Sequence, residues 1–177
     1  RHYWTQKTDQ RTCGDPACSG GFRFIGKPQG KKLNYAEVWK KFAEIHRKLG
    51  YTPIKRYPVV ARWNPTVDFT IASIAAFQPN VVSGEIKPPA NPLVIPQFCL
   101  RFGDIDNVGI TGHFVGFVMM GEHAFVPPPE YNVNDYFQHH LKWLTEGMEL
   151  KPEDLTIHED GWAGGGNFGP CMEFFSP

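Results

Sequence analysis

The residues of this chain best suited to chemistry lie close together between Gln97 and Phe125. Two apolar segments flank a polar connection there, with Arg101 where the first ends and His113 and Phe117 where the second begins. This pattern predicts an antiparallel hairpin that brings a cation, an imidazole and an aromatic ring together. These groups suit a polyphosphate carrying a flat base, because guanidinium binds phosphate oxygens and aromatic rings stack on bases. On the residues alone, the commoner interpretation is an ordinary hairpin that ends in a surface Arg.

A second candidate segment is glycine-rich and runs from Gly161 to Gly169, with Trp162 near its start. It matches no phosphate-binding loop pattern, since no Gly-Lys-Ser or Gly-Lys-Thr follows. The residues alone predict a flexible loop whose Trp covers the core, followed by an apolar run from Pro170 to Phe175.

The four cysteines fall into two groups. Cys13 and Cys18 lie in a Gly/Pro/Asp-rich stretch, and their spacing is typical of half a zinc site. Structural zinc needs four ligands, so either a second pair lies upstream of Arg1 or these two are reduced loop cysteines. Cys99 and Cys171 stand in apolar segments and are predicted to be small buried hydrophobic residues.

The elements that must position these residues are predicted from periodicity and caps. Helices are predicted over residues 34–49, with Asn34 as the cap, and over residues 134–148. Strands are predicted at residues 57–62, along both arms of the hairpin and near residues 155–158. Residues 66–77 are predicted to form a short buried helix or turn, and residues 79–96 a Pro-rich loop. Long helices with antiparallel strands indicate an α+β fold.

Composition and charge set broad limits. Lys and Arg exceed Asp and Glu in the first 60 residues, and the reverse holds in the rest. A basic first part is compatible with a nucleic-acid partner, although a solvated helix face explains many of its charges equally well. Because the chain has neither an apolar run that could span a bilayer nor an apolar signal-peptide core at its start, we predict a cytoplasmic protein without a membrane partner.

Several long and unusual sequence segments occur together in this chain, and together they resemble a known protein family. They are Thr12–Cys18, Ile54–Arg62, Thr70–Ile74, Pro88–Ile95, Asp104–Gly109, Met119–Met120, Trp162–Asn167 and Gly169–Pro170. In these segments the chain resembles the N-terminal catalytic region of alanyl-tRNA synthetases of the archaeal type, which are class II aminoacyl-tRNA synthetases.

The resemblance implies an antiparallel sheet flanked by helices. The helix over 34–49 and the strand over 57–62 would form the first class motif, and the hairpin around Arg101 would form the second. The expected domain division is a Cys-containing N-terminal module over residues 1–33 and a partial catalytic domain over residues 34–177, in which the third class motif is absent.

The resemblance also implies a reaction and its site residues. Alanine would attack the α-phosphate of ATP, assisted by Mg²⁺, and the alanyl group would pass to tRNA(Ala). Arg101 would be the catalytic residue, and ATP would contact Arg101, Asp104, His113, Phe117 and the backbone of Met119. Alanine would bind beside Trp162 and the glycines 164–166. Zinc would bind Cys13 and Cys18 only if further ligands lie upstream.

Two departures from the family pattern keep other functions open. Ile110 stands where the family has an Arg in a connection one residue longer, and Val118 stands where it has a Glu. The first hypothesis is a fragment or subunit of an alanine-tRNA ligase that needs a partner segment or chain carrying the third motif. The alternatives are a synthetase-derived paralogue that acts as a binding or assembly subunit, and an enzyme that adenylates an amino acid for an acceptor other than tRNA.

Overall fold

The computed structural model of this protein describes residues 8–9 and 33–176. The first helix among the described residues, α1, spans Tyr35–Lys48 as predicted. The Asn34 side chain accepts a hydrogen bond from the Glu37 amide at 3.1 Å, and the Glu37 carboxylate accepts one from the Asn34 amide at 2.8 Å. This reciprocal capping box satisfies amides that have no partner within the helix. The chain leaves the helix at Gly50, whose φ is 91°, a conformation that glycine adopts without strain.

We expect the substitution Asn34→Ala to lower the free energy of unfolding by about 1 kcal/mol, because it removes a side-chain cap. Urea unfolding of both proteins measures this difference. The matched control is Glu44→Ala, which removes only an exposed pair with Lys48 on the same helix and should cost less than about 0.5 kcal/mol. Equal effects of the two substitutions would show that the cap does not stabilise α1.

Within the described residues, the main sheet has three strands in the order β1, β2, β3. These are β1 (Thr52–Pro53), β2 (Leu93–Leu100) and β3 (Gly116–His123). β1 pairs parallel to β2, and β2 pairs antiparallel to β3, with Leu93 opposite His123 and Leu100 opposite Gly116. The predicted hairpin is therefore present, although β2 begins earlier than expected.

The prediction of a Pro-rich loop as far as residue 96 was wrong at its end. Leu93, Val94 and Ile95 are fully buried, and their burial outweighs the loop tendency of the prolines around them. Both faces of β2 are covered by other parts of the chain. This explains why its sequence is a continuous apolar run and not an alternation of apolar and polar residues. Val94 packs against α1, whereas Leu93 and Ile95 pack with Phe77 on the opposite face.

The predicted strand at residues 57–62 was also wrong. Within this described segment only Val60 forms a β-bridge, to Phe69. The backbone of Tyr57 is bound instead by the side chain of Gln97, which is fully buried. Its amide accepts from the Tyr57 amide at 2.9 Å and donates to the Tyr57 carbonyl at 3.1 Å.

The second long helix, α2, spans Val133–Lys142 and continues into a π-type turn at Trp143–Gly147. This agrees with the predicted helix over 134–148. The Trp143 ring folds back onto Gly147, where a Cβ atom would overlap with it. None of the described helices is long and apolar enough to cross a bilayer.

The glycine-rich segment is a hairpin, not the predicted flexible loop. β4 (Thr156–Gly164) and β5 (Asn167–Phe175) pair along their whole length. Gly165 and Gly166 form the turn with φ values of 59° and 85°, which fits a two-residue type I′ turn and requires two residues that tolerate positive φ. The predicted α+β class with a sheet flanked by helices is confirmed.

Candidate functional site

Arg101 directly follows β2 and is held in place by three contacts. Its amide donates to the Val115 carbonyl at 2.9 Å, and its Nε donates to the Ile71 carbonyl at 2.8 Å. Its guanidinium carbon lies 5.1 Å from the ring centre of Phe117, over the ring face. Because Nε is bound to the protein, the terminal nitrogens are the donors left for a phosphate or carboxylate, in the fork geometry that such anions match.

The carbonyl that holds Arg101 is itself fixed to the sheet. Thr70, which precedes Ile71, is fully buried. Its carbonyl accepts from the Leu100 amide at 3.0 Å, and its hydroxyl donates to the Pro58 carbonyl at 3.1 Å. Residues 70–71 therefore form a rigid support beside the end of β2. Sequence reasoning missed this role, because the contact depends on a backbone carbonyl 30 positions before Arg101.

The first of two cavities at Arg101 has a volume of about 370 Å³. It contains four of the five residues predicted to bind ATP, and Met119 is not among its lining residues. The lining consists of Arg101, Asp104, Val108, Gly112, His113, Phe114 and Phe117. One face of Phe117 is covered by Arg101, so a base that stacks on this ring would have to use the opposite face.

His113 lies in the connection between β2 and β3, not at the start of the return strand as predicted, because β3 begins only at Gly116. Its Nδ1 is hydrogen-bonded to the Thr111 hydroxyl, and its Nε2 lies 3.8 Å from an Asp104 carboxylate oxygen. Both side chains of this pair are largely exposed. Such an exposed pair contributes little stability.

The second cavity has a volume of about 480 Å³ and also reaches Arg101 and Asp104. Its opposite wall contains Trp162, Gly164 and Gly165, three of the residues predicted to bind the amino acid. A Cβ atom at Gly164 would lie 3.1 Å from Cζ2 of Trp162, so the glycine leaves room for the indole ring. Arg101 therefore lies between the two predicted binding regions.

Two predicted site residues lie outside both cavity linings. Gly166 occupies the outer position of the β4–β5 turn. Met119 lines a different cavity, and its sulfur accepts a hydrogen bond from the Ser73 amide at 3.3 Å.

The predicted zinc ligands Cys13 and Cys18 lie outside the described residues. Of the other cysteines, Cys99 is buried, as predicted, and burial raises its pKa to about 11, whereas Cys171 is only half-buried.

A buried network of ionisable groups, missed by sequence reasoning, supports the far end of β3. His46 is fully buried, and its Nδ1 donates to the Phe42 carbonyl at 2.8 Å. Its Nε2 lies 3.1 Å from a Glu122 carboxylate oxygen. Because Nδ1 donates to a carbonyl, Nε2 is the ring nitrogen that contacts Glu122. Burial raises the pKa of Glu122, but the hydrogen bond from His46 and the nearby Tyr51 hydroxyl lower it further, and the net pKa lies below its ordinary value.

His123, the last residue of β3, makes stability sensitive to pH. Its ring packs between Phe77 and Phe125, and its Nε2 lies 3.0 Å from the Ser73 hydroxyl. Burial lowers its pKa to about 4, although Glu122 acts in the opposite direction. The unfolded chain therefore binds a proton at this residue near pH 6.5, while the folded chain binds it only near pH 4.

We expect the contribution of His123 to be fully present above pH 6.5 and to be lost as the pH falls towards about 4. In urea unfolding, the wild-type protein should lose on the order of 2 kcal/mol more than His123→Phe across this range. Phenylalanine keeps an aromatic ring in the same position but cannot titrate. Parallel pH profiles for the two proteins would contradict this assignment.

Comparisons with known proteins agree with this arrangement. The family model described as tRNA synthetases class II (A) matches residues 37–176. The alanine-tRNA ligase of Methanocella arvoryzae is 47% identical over 183 residues, covering 99% of this chain and 20% of that protein. The alanine-tRNA ligase of Pyrococcus abyssi is 48% identical over 178 residues, covering 97% of this chain and 19% of that protein. That of Thermococcus kodakarensis is 47% identical over 180 residues, covering 98% of this chain and 20% of that protein.

This chain therefore spans about 20% of the length of the curated relatives that it matches. The resemblance to archaeal alanine-tRNA ligases is confirmed across nearly all of it. Together with the sheet, the hairpin and the position of Arg101, the family match shows that the chain belongs to the class II (A) tRNA synthetases.

Proposed function

We propose that this chain contributes the ATP-binding and alanine-binding region of an alanine-tRNA ligase. The observation that carries the proposal is the position of Arg101, which lines both the cavity of Phe117 and His113 and the cavity of Trp162. A group that bridges a nucleotide site and an amino-acid site is what the joining of the two substrates requires. Cytoplasmic tRNA(Ala) would be the final acceptor.

In the first step, a carboxylate oxygen of alanine forms a bond to the α-phosphorus of ATP, and the bond from that phosphorus to the pyrophosphate oxygen breaks. Negative charge moves from the carboxylate to the leaving pyrophosphate. The terminal nitrogens of Arg101 would donate to the carboxylate and to an α-phosphate oxygen, holding them in line and stabilising the transition state. The hydrogen bond from Arg101 Nε to the Ile71 carbonyl would fix the orientation of the guanidinium group before substrates bind.

The remaining residues would bind and orient the two substrates. Phe117 would stack on adenine through the face that Arg101 does not cover, and His113 would lie near the outer phosphates. Trp162 would close the amino-acid cavity, while the backbone at Gly164 and Gly165 would allow close approach of the substrate. Contacts to the ammonium group and to the second face of adenine are assigned to residues outside this chain, in the same protein or in a partner chain that carries the third motif.

The described residues contain no group of three or more His, Cys, Asp or Glu side chains that could hold a metal ion. A dedicated protein cage for Mg²⁺ therefore does not fit the described part of this chain. Mg²⁺ belongs to the proposal as a companion of ATP, bound by phosphate oxygens and water, and no step assigned here runs through it. Zinc at Cys13 and Cys18 remains a prediction, which metal analysis of a protein extended upstream would test.

The binding experiment uses a non-hydrolysable alanyl-adenylate analogue, alanyl-sulfamoyl adenosine, and isothermal titration calorimetry. We expect Arg101→Ala and Trp162→Ala each to weaken binding at least about tenfold, since each removes a direct contact. The matched control is Arg62→Ala, which removes an exposed Arg outside both cavities. If the wild-type protein, with its partner segment supplied, does not bind the analogue, the proposal is wrong.

A second candidate function is supported by two positions in the second motif. Ile110 and Val118 replace residues that would carry charge in the family, so a paralogue that binds substrates without activating them is the main alternative. The other alternative is an enzyme that adenylates an amino acid for an acceptor other than tRNA. Analogue binding without adenylate formation supports the paralogue, and adenylate formation without transfer to tRNA(Ala) supports the different acceptor.

A further inference from the structure

Gln78 is a buried polar residue whose side chain forms hydrogen bonds to the turn end of the β4–β5 hairpin. Only 4% of its surface is exposed. Its Nε2 donates to the Gly164 carbonyl at 3.2 Å and to the Asn167 side-chain oxygen at 2.5 Å. These two acceptors are the last residue of β4 and the first residue of β5. One amide group therefore holds both strands at the point where the chain reverses.

The turn fits closely around this amide. A Cβ atom at Gly165 would lie 2.6 Å from the Gln78 side-chain oxygen, which is too short for any real contact. The φ of 59° at Gly165 independently favours glycine. The end of β4, the turn residue Gly165 and the start of β5 thus all contact the side chain of Gln78.

Within the described residues, the hairpin has few other attachments to the rest of the chain. All β4 residues from Thr156 to Ala163 are exposed. At the end far from the turn, the Phe174 ring packs against His140 and Phe137, with ring centres 4.7 Å and 5.7 Å apart. The hairpin is therefore anchored at its open end by Phe174 and at its turn by Gln78.

Gln78 also lies in the wall of the cavity that contains Trp162, Gly164 and Arg101. We infer that Gln78 is a positioning residue that holds the β4–β5 turn, and with it Trp162 and Gly164, at the distance from Arg101 that admits a small amino acid. This inference rests on the proposed function. Because the hairpin borders only the amino-acid cavity, Gln78 sets affinity for alanine and not for ATP.

The test uses Gln78→Glu, which keeps the shape of the side chain but replaces the donor with a carboxylate that faces two acceptors. The matched control is Gln138→Glu, the same chemical change at an exposed position of α2. Asn167→Ala is a second variant that removes one acceptor without changing the buried core. Two quantities are measured in the complete enzyme: hydrogen exchange of the amides in residues 156–175, and the KM values for alanine and ATP.

We expect Gln78→Glu to accelerate exchange at the turn end of the hairpin and to raise the KM for alanine about tenfold, with the KM for ATP changed less than about twofold. Asn167→Ala should act in the same direction with a smaller effect, and Gln138→Glu should change neither quantity. Unchanged exchange in both variants overturns the inference. So does faster exchange with an unchanged KM for alanine, or an equal rise in both KM values. If the wild-type enzyme does not activate alanine, the proposed function fails, and hydrogen exchange alone decides whether Gln78 holds the turn.

Discussion

Replacing Arg101 with alanine is expected to abolish formation of alanyl-adenylate in the complete enzyme, with a loss of at least about a thousandfold in the single-turnover rate. The physical reason is that the guanidinium would donate to charge that is rearranging on the α-phosphate. Removal of one preorganised donor at such a position costs about a hundredfold to a thousandfold, and an arginine at a transferring phosphoryl group contributes more. Rapid-quench measurement of labelled adenylate gives the rate directly.

Two matched variants separate this role from a general effect of charge. Arg101→Lys keeps the charge but lacks the planar fork, so it should recover only a small part of the activity. Arg62→Ala removes an exposed Arg outside both cavities and should leave the rate within about twofold of wild type. A near-normal rate for Arg101→Ala would show that Arg101 is not a catalytic residue.

The largest expected effect on stability comes from His46→Leu. This change leaves the Glu122 carboxylate, whose side chain is 15% exposed, without its main partner. Loss of one member of a buried charged pair costs about 3–5 kcal/mol, because the remaining group is desolvated and unpaired. Urea unfolding at neutral pH measures the change. The control Lys48→Ala removes an exposed pair on the same helix, and it should cost less than about 1 kcal/mol.

The double variant His46→Leu with Glu122→Leu tests the cause of that loss. An apolar pair of similar volume can replace a buried ion pair at little cost, so the double variant should be more stable than His46→Leu alone. If the second substitution causes a further loss, His46 stabilises the fold through packing with Phe42 and Tyr51 and not through Glu122. With Glu122→Leu alone also measured, these variants complete a double-mutant cycle, which isolates the interaction between the two residues.

Local signals were sufficient to predict α1 and the central hairpin. Asn34 and Glu37 form a cap between neighbouring residues, and the apolar positions of α1 repeat at helical spacing, so no distant contact is needed to specify the helix. The end of an apolar segment indicated Arg101 as a candidate, although its catalytic role was implied only by the family resemblance, and the structure places it beside Phe117 and His113. These features depend on residues that are close together in the chain.

The features that could not be predicted depend on single side chains acting across long distances in the chain. Gln97 binds both backbone groups of Tyr57, which lies 40 positions before it in the chain. His46 meets Glu122 across 76 positions, and Gln78 meets Asn167 across 89. A buried Gln or His produces no periodic pattern, so its partner becomes visible only when the elements are packed together.

The glycine-rich segment shows a different cause of error. Glycines at 164–166 were interpreted as a flexible loop, because glycine weakens regular structure. In the structure, two of them form a tight turn, and Gly164 leaves room for the Trp162 ring. The same residues that made the segment resemble a loop therefore allow the hairpin that lines the cavity of Trp162 and Arg101.

The most direct test of the central claim is ATP-pyrophosphate exchange, measured for this protein alone and together with the remaining catalytic segment or any co-encoded partner chain. We predict exchange that depends on alanine, that requires the partner segment, and that is much weaker with serine or leucine. Absence of alanine-dependent exchange under both conditions would contradict the proposed activation of alanine at Arg101.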